Sequence, residues 1–401
     1  MLGEGDFIHV LISLAILLFA AKIFAEIFHK FRLPVVLGEL LAGIIVSPFT
    51  LGAIPLFDGK PLVILNETVR QIGEISGIVI LFIAGLEITP REFLKGGAAS
   101  FAIAACGVIV PFFVGYYVFI TFGLGSLQSV LVATALTATS VAISVRVLTE
   151  LGKMQTREAK LILGAAIVDD ILAIAVLSVV TTMVQTGNMT PNISDITFLI
   201  IKILGIFVAL LVGAIVIIPR ILHAERLWKS KGSIEGIVTA SFFGASGIAA
   251  ILGLSPIVGA FAVGMAVAST KLIGRVEEYV EKLEIIFAPL FFAIIGAQVN
   301  LTGVNWDVLF LTSIVVAVAI ITKLMGCGLP AMIFLKDRSK AMRVGIGMIS
   351  RGEVGLIVAG IGVTSGALTS NIYTTLIIMV AITTMITPIW LKKEYNKEVS
   401  L

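Results

Sequence analysis

Several charged residues stand inside apolar runs, where a charge is costly. Asp169 and Asp170 are neighbours in GAAIVDDILAIAVL, Lys323 lies in VAVAIITKLMGCGLP, and Arg351 and Glu353 interrupt VGIGMISRGEVGLIVAGIG. A charged group at membrane depth costs at least about 2.5–3.5 kcal/mol, so each needs a partner or a task. Adjacent helix positions point about 100° apart, so the two aspartates cannot address one partner identically. A carboxylate in an apolar cavity prefers to be protonated, whereas a nearby cation prefers it ionised. A site of this kind holds protons or a small cation, not both. That is the chemistry of exchange.

Lys323 needs a carboxylate, and a mutual ion pair with the aspartate-bearing run satisfies both; a purely structural pair is the other reading. Thr137, Thr139 and Ser140 fall mid-run in ALTATSVAIS. Their hydroxyls either return hydrogen bonds to the preceding turn or line a helix break whose freed carbonyls coordinate a cation. Glycines around Arg351 and Glu353 favour a break there, while the Thr139 run has neither Gly nor Pro. Lys22, Glu26, Glu74 and Lys202 lie near run ends and are expected to reach the interface. Glu39 needs a partner. Cys106 and Cys327 read as small buried side chains rather than a disulfide or a metal pair.

The elements that must carry these residues are membrane helices. Of 401 residues, 58% are hydrophobic and 13% charged, against about 25% charged in soluble domains. No nucleic-acid partner, cofactor or enzymatic centre is expected. The first apolar run, 7–28, is long enough to span and follows acidic Glu4 and Asp6, so it reads as a retained helix rather than a signal peptide. At about 20 apolar residues per span, thirteen spans are expected near 7–28, 33–56, 72–88, 98–122, 127–149, 158–184, 197–220, 234–253, 255–270, 285–300, 307–335, 341–364 and 372–391.

Alternate connections separate by charge. One set carries many basic residues, among them Lys30, Arg32, Arg91, Lys95, Arg146, Lys153, Arg220, Lys231, Lys271, Lys336, Arg343 and Lys392; the other carries only Lys60 and Arg70. The positive-inside rule makes the first set cytoplasmic, with the N-terminus outside and the C-terminus inside a cell membrane.

Six spans precede the seventh and six follow it, so the second half starts on the opposite side, as in inverted repeats. The division is 1–184, a linking helix with its loops at 185–233, and 234–401. Two echoes accompany it. PVVLGELLAGIIVS pairs with SPIVGAFAVGMAVAS, aligning Gly38 and Gly43 with Gly259 and Gly264; LFIAGLEI pairs with FAIIGAQV, aligning Gly85 with Gly296.

TATSVAIS, IVDD, the deep lysine and SRGEVGLIVAGIG resemble the sodium/proton antiporters of the NapA and NhaA type, within the cation:proton antiporter superfamily. LPVVLGELLAGIIVSP resembles that superfamily too. The resemblance covers essentially the whole chain and implies an all-α fold with a core domain, a dimerisation domain and two broken helices crossing at mid-membrane. It implies that Asp170 binds the ion, that Asp169 pairs with Lys323, and that Thr139 and Ser140 mark one crossing and Arg351 and Glu353 the other. Asp170, Thr139 and Ser140 would be transient sodium ligands. It further implies a homodimer. A nucleotide-binding domain, as in potassium-efflux relatives, is not expected after the last span.

The expected function is secondary exchange of sodium or lithium for protons, electrogenic if both aspartates take protons. Potassium/proton exchange is the nearest alternative, and a sodium-coupled organic-anion symporter a more distant one. An intramembrane aspartyl protease needs its two aspartates on different helices, and its GxGD string is missing.

Overall fold

The computed structural model describes residues 4–56, 59–186, 193–223, 230–300, 302 and 304–399. Among these the chain forms fifteen α-helices and no β-strand beyond an isolated Pro55–Pro61 bridge. They are α1 (Glu4–Lys30), α2 (Val35–Ile45), α3 (Glu67–Leu86), α4 (Pro90–Thr121), α5 (Ser126–Ala135), α6 (Val141–Glu150), α7 (Arg157–Thr186) and α8 (Ile193–His223). After these come α9 (Ser233–Ile251), α10 (Pro256–Ala268), α11 (Ile273–Ala297), α12 (Trp306–Leu335), α13 (Arg338–Gly347), α14 (Glu353–Thr364) and α15 (Ser370–Val399). Eight of the helices are long and apolar enough to cross a membrane, and α2, α5, α10 and α14 are shorter apolar helices. The large outward side chains of α8, Phe198, Ile201, Val208 and Val212, suit contact with lipid tails. This is a multi-pass membrane protein.

Local chemistry sets the boundaries. Thr89 and Glu92 form a capping box at the start of α4, with Pro90 inside its first turn. Asn66, Asn305 and Asp337 accept backbone N–H groups at the starts of α3, α12 and α13. The short α4–α5 and α9–α10 connections turn at Gly123 and Gly253, whose φ values of +87° and +84° lie in the left-handed region glycine tolerates. The expected span at 33–56 proves shorter as a helix. α2 stops at Ile45, where Thr50 Oγ1 donates to the carbonyls of Ile44 (2.9 Å) and Ile45 (2.7 Å) just beyond Pro48. The span expected at 285–300 is longer, because α11 runs on through the charged segment from Ile273.

The helices pack as two groups. α1, α2, α3, α8, α9, α10 and α11 pack mainly on one another, as do α4–α7 with α12–α15. The larger contacts between the groups are those of α2 with α6 and α15, of α3 with α6, and of α7 with α8. Within the first group, glycine lets backbones meet. A Cβ on Gly43 of α2 would overlap the Ala293 carbonyl of α11, and one on Gly296 would overlap the Leu40 carbonyl. α3 and α10 meet likewise at Gly85 and Gly264. In the second group α4 and α12 meet where a Cβ on Gly326 would lie 2.7 Å from the Cys106 carbonyl oxygen.

Candidate functional site

Two helices of the second group are interrupted at matching depth. α5 ends at Ala135 and α6 begins at Val141, while α13 ends at Gly347 and α14 begins at Glu353. The two interruptions lie against each other. Ser140 N–H donates to the Ser350 carbonyl at 2.9 Å, and Ser350 Oγ donates back to the Ser140 carbonyl at 2.9 Å. Thr139 Oγ1 donates to the Met348 carbonyl (3.3 Å), and Ser144 Oγ to the Gly347 carbonyl. Gly352 is required here, since a Cβ on it would sit 2.8 Å from Ser140 Cβ. Thr137 takes the local alternative, donating to the Thr134 carbonyl at 2.8 Å. Each break exposes one helix C-terminus and one N-terminus, so partial charges of both signs meet at the crossing.

α7 and α12 bring charges to this point. Lys323 Nζ donates to Asp169 Oδ1 at 2.8 Å, and both side chains are 0% exposed. Asp169 Oδ2 has no hydrogen-bond partner among the described residues. Asp170, one position on, is also buried. Gly107 of α4 flanks the pair: a Cβ there would lie 2.6 Å from Cys327 Sγ, 3.5 Å from Lys323 Nζ and 3.7 Å from Asp169 Oδ1. Cys106 and Cys327 are free thiols.

Arg351 is fully buried between the crossing and the pair. Its guanidinium donates to the carbonyls of Met348 (3.4 Å) and Ala319 (3.3 Å), and it interacts electrostatically with Asp169. Asp169, Asp170, Lys323 and Arg351, two acids and two bases, are all buried. Thr384 of α15, which sequence reasoning did not single out, donates to the Arg351 carbonyl at 2.7 Å and holds the second break in place. Its signal was faint, because a threonine in an apolar run more often bonds its own helix. The Glu353 side chain lies outside the described residues.

The remaining membrane-depth charges divide. Lys22, Glu26, Glu74 and Lys202 are exposed. Glu39 is buried on α2, 3.7 Å from Arg146. Arg146 and Arg343, counted with the connecting segments by charge alone, lie inside α6 and α13. Arg343 is buried with Glu158 at 2.9 Å and stacks over the Tyr395 ring at 4.3 Å.

Comparison with known proteins places this arrangement. The family model described as sodium/hydrogen exchanger, transmembrane, matches residues 14–393. The chain is similar to the Na(+)/H(+)-K(+) antiporter GerN of Bacillus cereus, at 34% identity over 96% of each chain. It is similar to the high-affinity Na(+)/H(+) antiporter NhaS3 of Synechocystis sp., at 32% identity over 96% of this chain and 90% of that one. Among solved structures, that of the sodium proton antiporter MjNhaP1 from Methanocaldococcus jannaschii at pH 8 superimposes with a TM-score of 0.65. It does so at 16% identity over 97% of each chain, a likeness of fold. The resemblance to sodium/proton antiporters is borne out, the NapA and NhaA types being narrower than these matches within the cation:proton antiporter superfamily. The chain belongs to the sodium/hydrogen exchanger family, whose members are transporters rather than enzymes.

Proposed function

We propose that this protein exchanges sodium or lithium for protons across a cell membrane, with Asp170 as the ion-binding carboxylate and Asp169 as a proton carrier gated by Lys323. The observation that carries the reading is the buried Asp169–Lys323 contact at 2.8 Å, with a second buried aspartate on the next residue. An ion arriving at Asp170 favours the ionised carboxylates, and its departure favours protonation. When Asp169 takes a proton, Lys323 loses its counter-charge and turns to other acceptors, so two protons move for one cation. Net charge then crosses the membrane, worth about 2.3 kcal/mol per charge per 100 mV. Thr139 and Ser140 supply neutral oxygens beside the crossing.

In this reading the group of α4–α7 and α12–α15 shifts against the other group, carrying the site from one side to the other. Thirteen spans, with α5–α6 and α13–α14 each counted as one, place the N-terminus outside and the C-terminus in the cytoplasm. The paired glycine contacts, α2 with α11 and α3 with α10, are what two inverted six-helix repeats at 1–184 and 234–401 would produce. The functional unit is a homodimer.

GerN is named as an Na(+)/H(+)-K(+) antiporter, which favours potassium as a second reading. Purified protein in proteoliposomes with an internal pH dye decides between them. A sodium gradient is expected to drive proton movement that an equal potassium gradient does not. Equal responses would replace the sodium reading, and no response to either would remove exchange itself. A response that follows an imposed membrane potential supports two protons per cation.

A further inference from the structure

Glu39 is a buried carboxylate that the exchange site does not use. It lies on α2, in the first helix group, and is 1% exposed, with neither oxygen hydrogen-bonded among the described residues. Its counter-charge comes from the other group: Arg146 Nη2 of α6 stands 3.7 Å from Glu39 Oε1. The same guanidinium contacts Glu284 of α11 through Nη1 and approaches Glu150 of its own helix at 3.4 Å through Nε. Lys22 of α1 completes the set, interacting electrostatically with Glu39 and Glu284. One arginine therefore bridges α2 and α11 on one side of the boundary to α6 on the other.

We propose that this cluster is a latch between the two helix groups, holding their boundary shut at the end where α1 runs into α2. The inference rests on the relative movement of the groups put forward above. Three features favour a latch over a static brace. First, Arg146 carries Glu150 with it at i+4, so a separation that removes Glu39 and Glu284 leaves the guanidinium with a partner rather than stranded. Glu39 and Glu284 keep Lys22 nearby and gain water as the boundary parts.

Second, further polar links cross the boundary at the same end. Val35 N–H donates to Glu150 Oε2 (3.1 Å), Lys392 Nζ to the Arg32 carbonyl (2.7 Å), and Gln155 Nε2 to Glu87 Oε2 (2.7 Å). Third, another part of the boundary is apolar: Ile44 and Val299 pack with Leu356, Tyr373, Ile377 and Ala381. An apolar contact tolerates sliding, whereas charge pairs are made or broken. The cluster is thus the two-state element of the boundary, and its strength sets how often this end opens.

The test is a reporter cysteine at Val36, one turn from Glu39 and 1% exposed, with Cys106 and Cys327 replaced by alanine. Its labelling rate by a maleimide in proteoliposomes reads how often the boundary opens. Arg146→Met is expected to raise that rate about tenfold, equivalent to about 1.4 kcal/mol, with Arg146→Lys staying near the parent. Glu284→Gln, a milder change at a partly exposed position, is expected to raise it by a smaller factor and serves if Arg146→Met does not fold. Rates equal to the parent in a folded Glu284→Gln and Arg146→Met, while sodium still changes labelling in all, would overturn the latch alone. Labelling that ignores both sodium and the substitutions would overturn the group movement beneath it.

Discussion

Ser140 and Ser350, 210 positions apart in the chain, exchange hydrogen bonds in both directions at 2.9 Å. Each belongs to an interrupted helix, and each satisfies a backbone group that the interruption in the other leaves free. The break in one helix is therefore stabilised by the break in the other. Close approach depends on Gly352, because any side chain there meets Ser140.

Gly352→Ala is accordingly expected to destabilise the protein by about 1–3 kcal/mol through overpacking and to suppress transport. Gly360→Ala, within the α14 helix that follows and with open space around it, is expected to be neutral or slightly stabilising. Thermal unfolding in detergent checks the contrast. Equal effects of the two substitutions would show that the crossing does not need its glycine.

Breaking the Asp169–Lys323 pair from either side leaves a buried charge alone, at a typical cost of about 3–5 kcal/mol. Removing both partners is expected to cost less than the worse single change. The thermal-unfolding cycle of Asp169→Ala, Lys323→Ala and the double variant should show coupling above about 0.5 kcal/mol. Additive losses would mean that the contact carries no energy. The double variant is further expected to move fewer charges per cycle if it still exchanges ions.

Asp337 caps α13, the half-helix that leads into the second break, by accepting N–H groups from Ser339 and Lys340. The Lys340 N–H and ammonium hold its carboxyl below the usual carboxylate range. A carboxyl depressed in the folded state contributes stability above its unfolded pKa and loses it as pH falls through the folded value. Asp337→Ala is expected to cost about 0.5–2 kcal/mol at neutral pH, and less once the medium is acid enough to protonate the parent carboxyl. A cost that does not shrink in acid would place the contribution elsewhere.

Orientation has its own test. A membrane-impermeant thiol reagent is expected to label a cysteine at Lys231 from the cytoplasmic side and one at Trp306 from the outside. The reverse pattern at either position would break the thirteen-span arrangement.

Much of the candidate site was legible because charge in an apolar run has few innocent explanations. Asp169, Asp170, Lys323 and Arg351 stand out on cost alone, and the structure places all four in one buried region. The interruption at Ala135–Val141 was not readable from its own residues, which include neither Gly nor Pro. What holds it open is a partner from the far half of the chain. Position along the chain alone puts Arg146 and Arg343 with the basic connecting segments. Their burial comes from tertiary packing against Glu39, Glu284 and Glu158. Thr384 was hidden for the same reason, since its acceptor is the carbonyl of Arg351, 33 positions away.

Asp170 is proposed as the carboxylate at which cation and proton compete. The measurement that meets it most directly is sodium-driven proton flux in proteoliposomes carrying equal amounts of folded parent or Asp170→Asn protein. Proton movement is expected on adding sodium to the parent, and none above empty liposomes for Asp170→Asn. Robust sodium-dependent flux in the Asp170→Asn protein would contradict it.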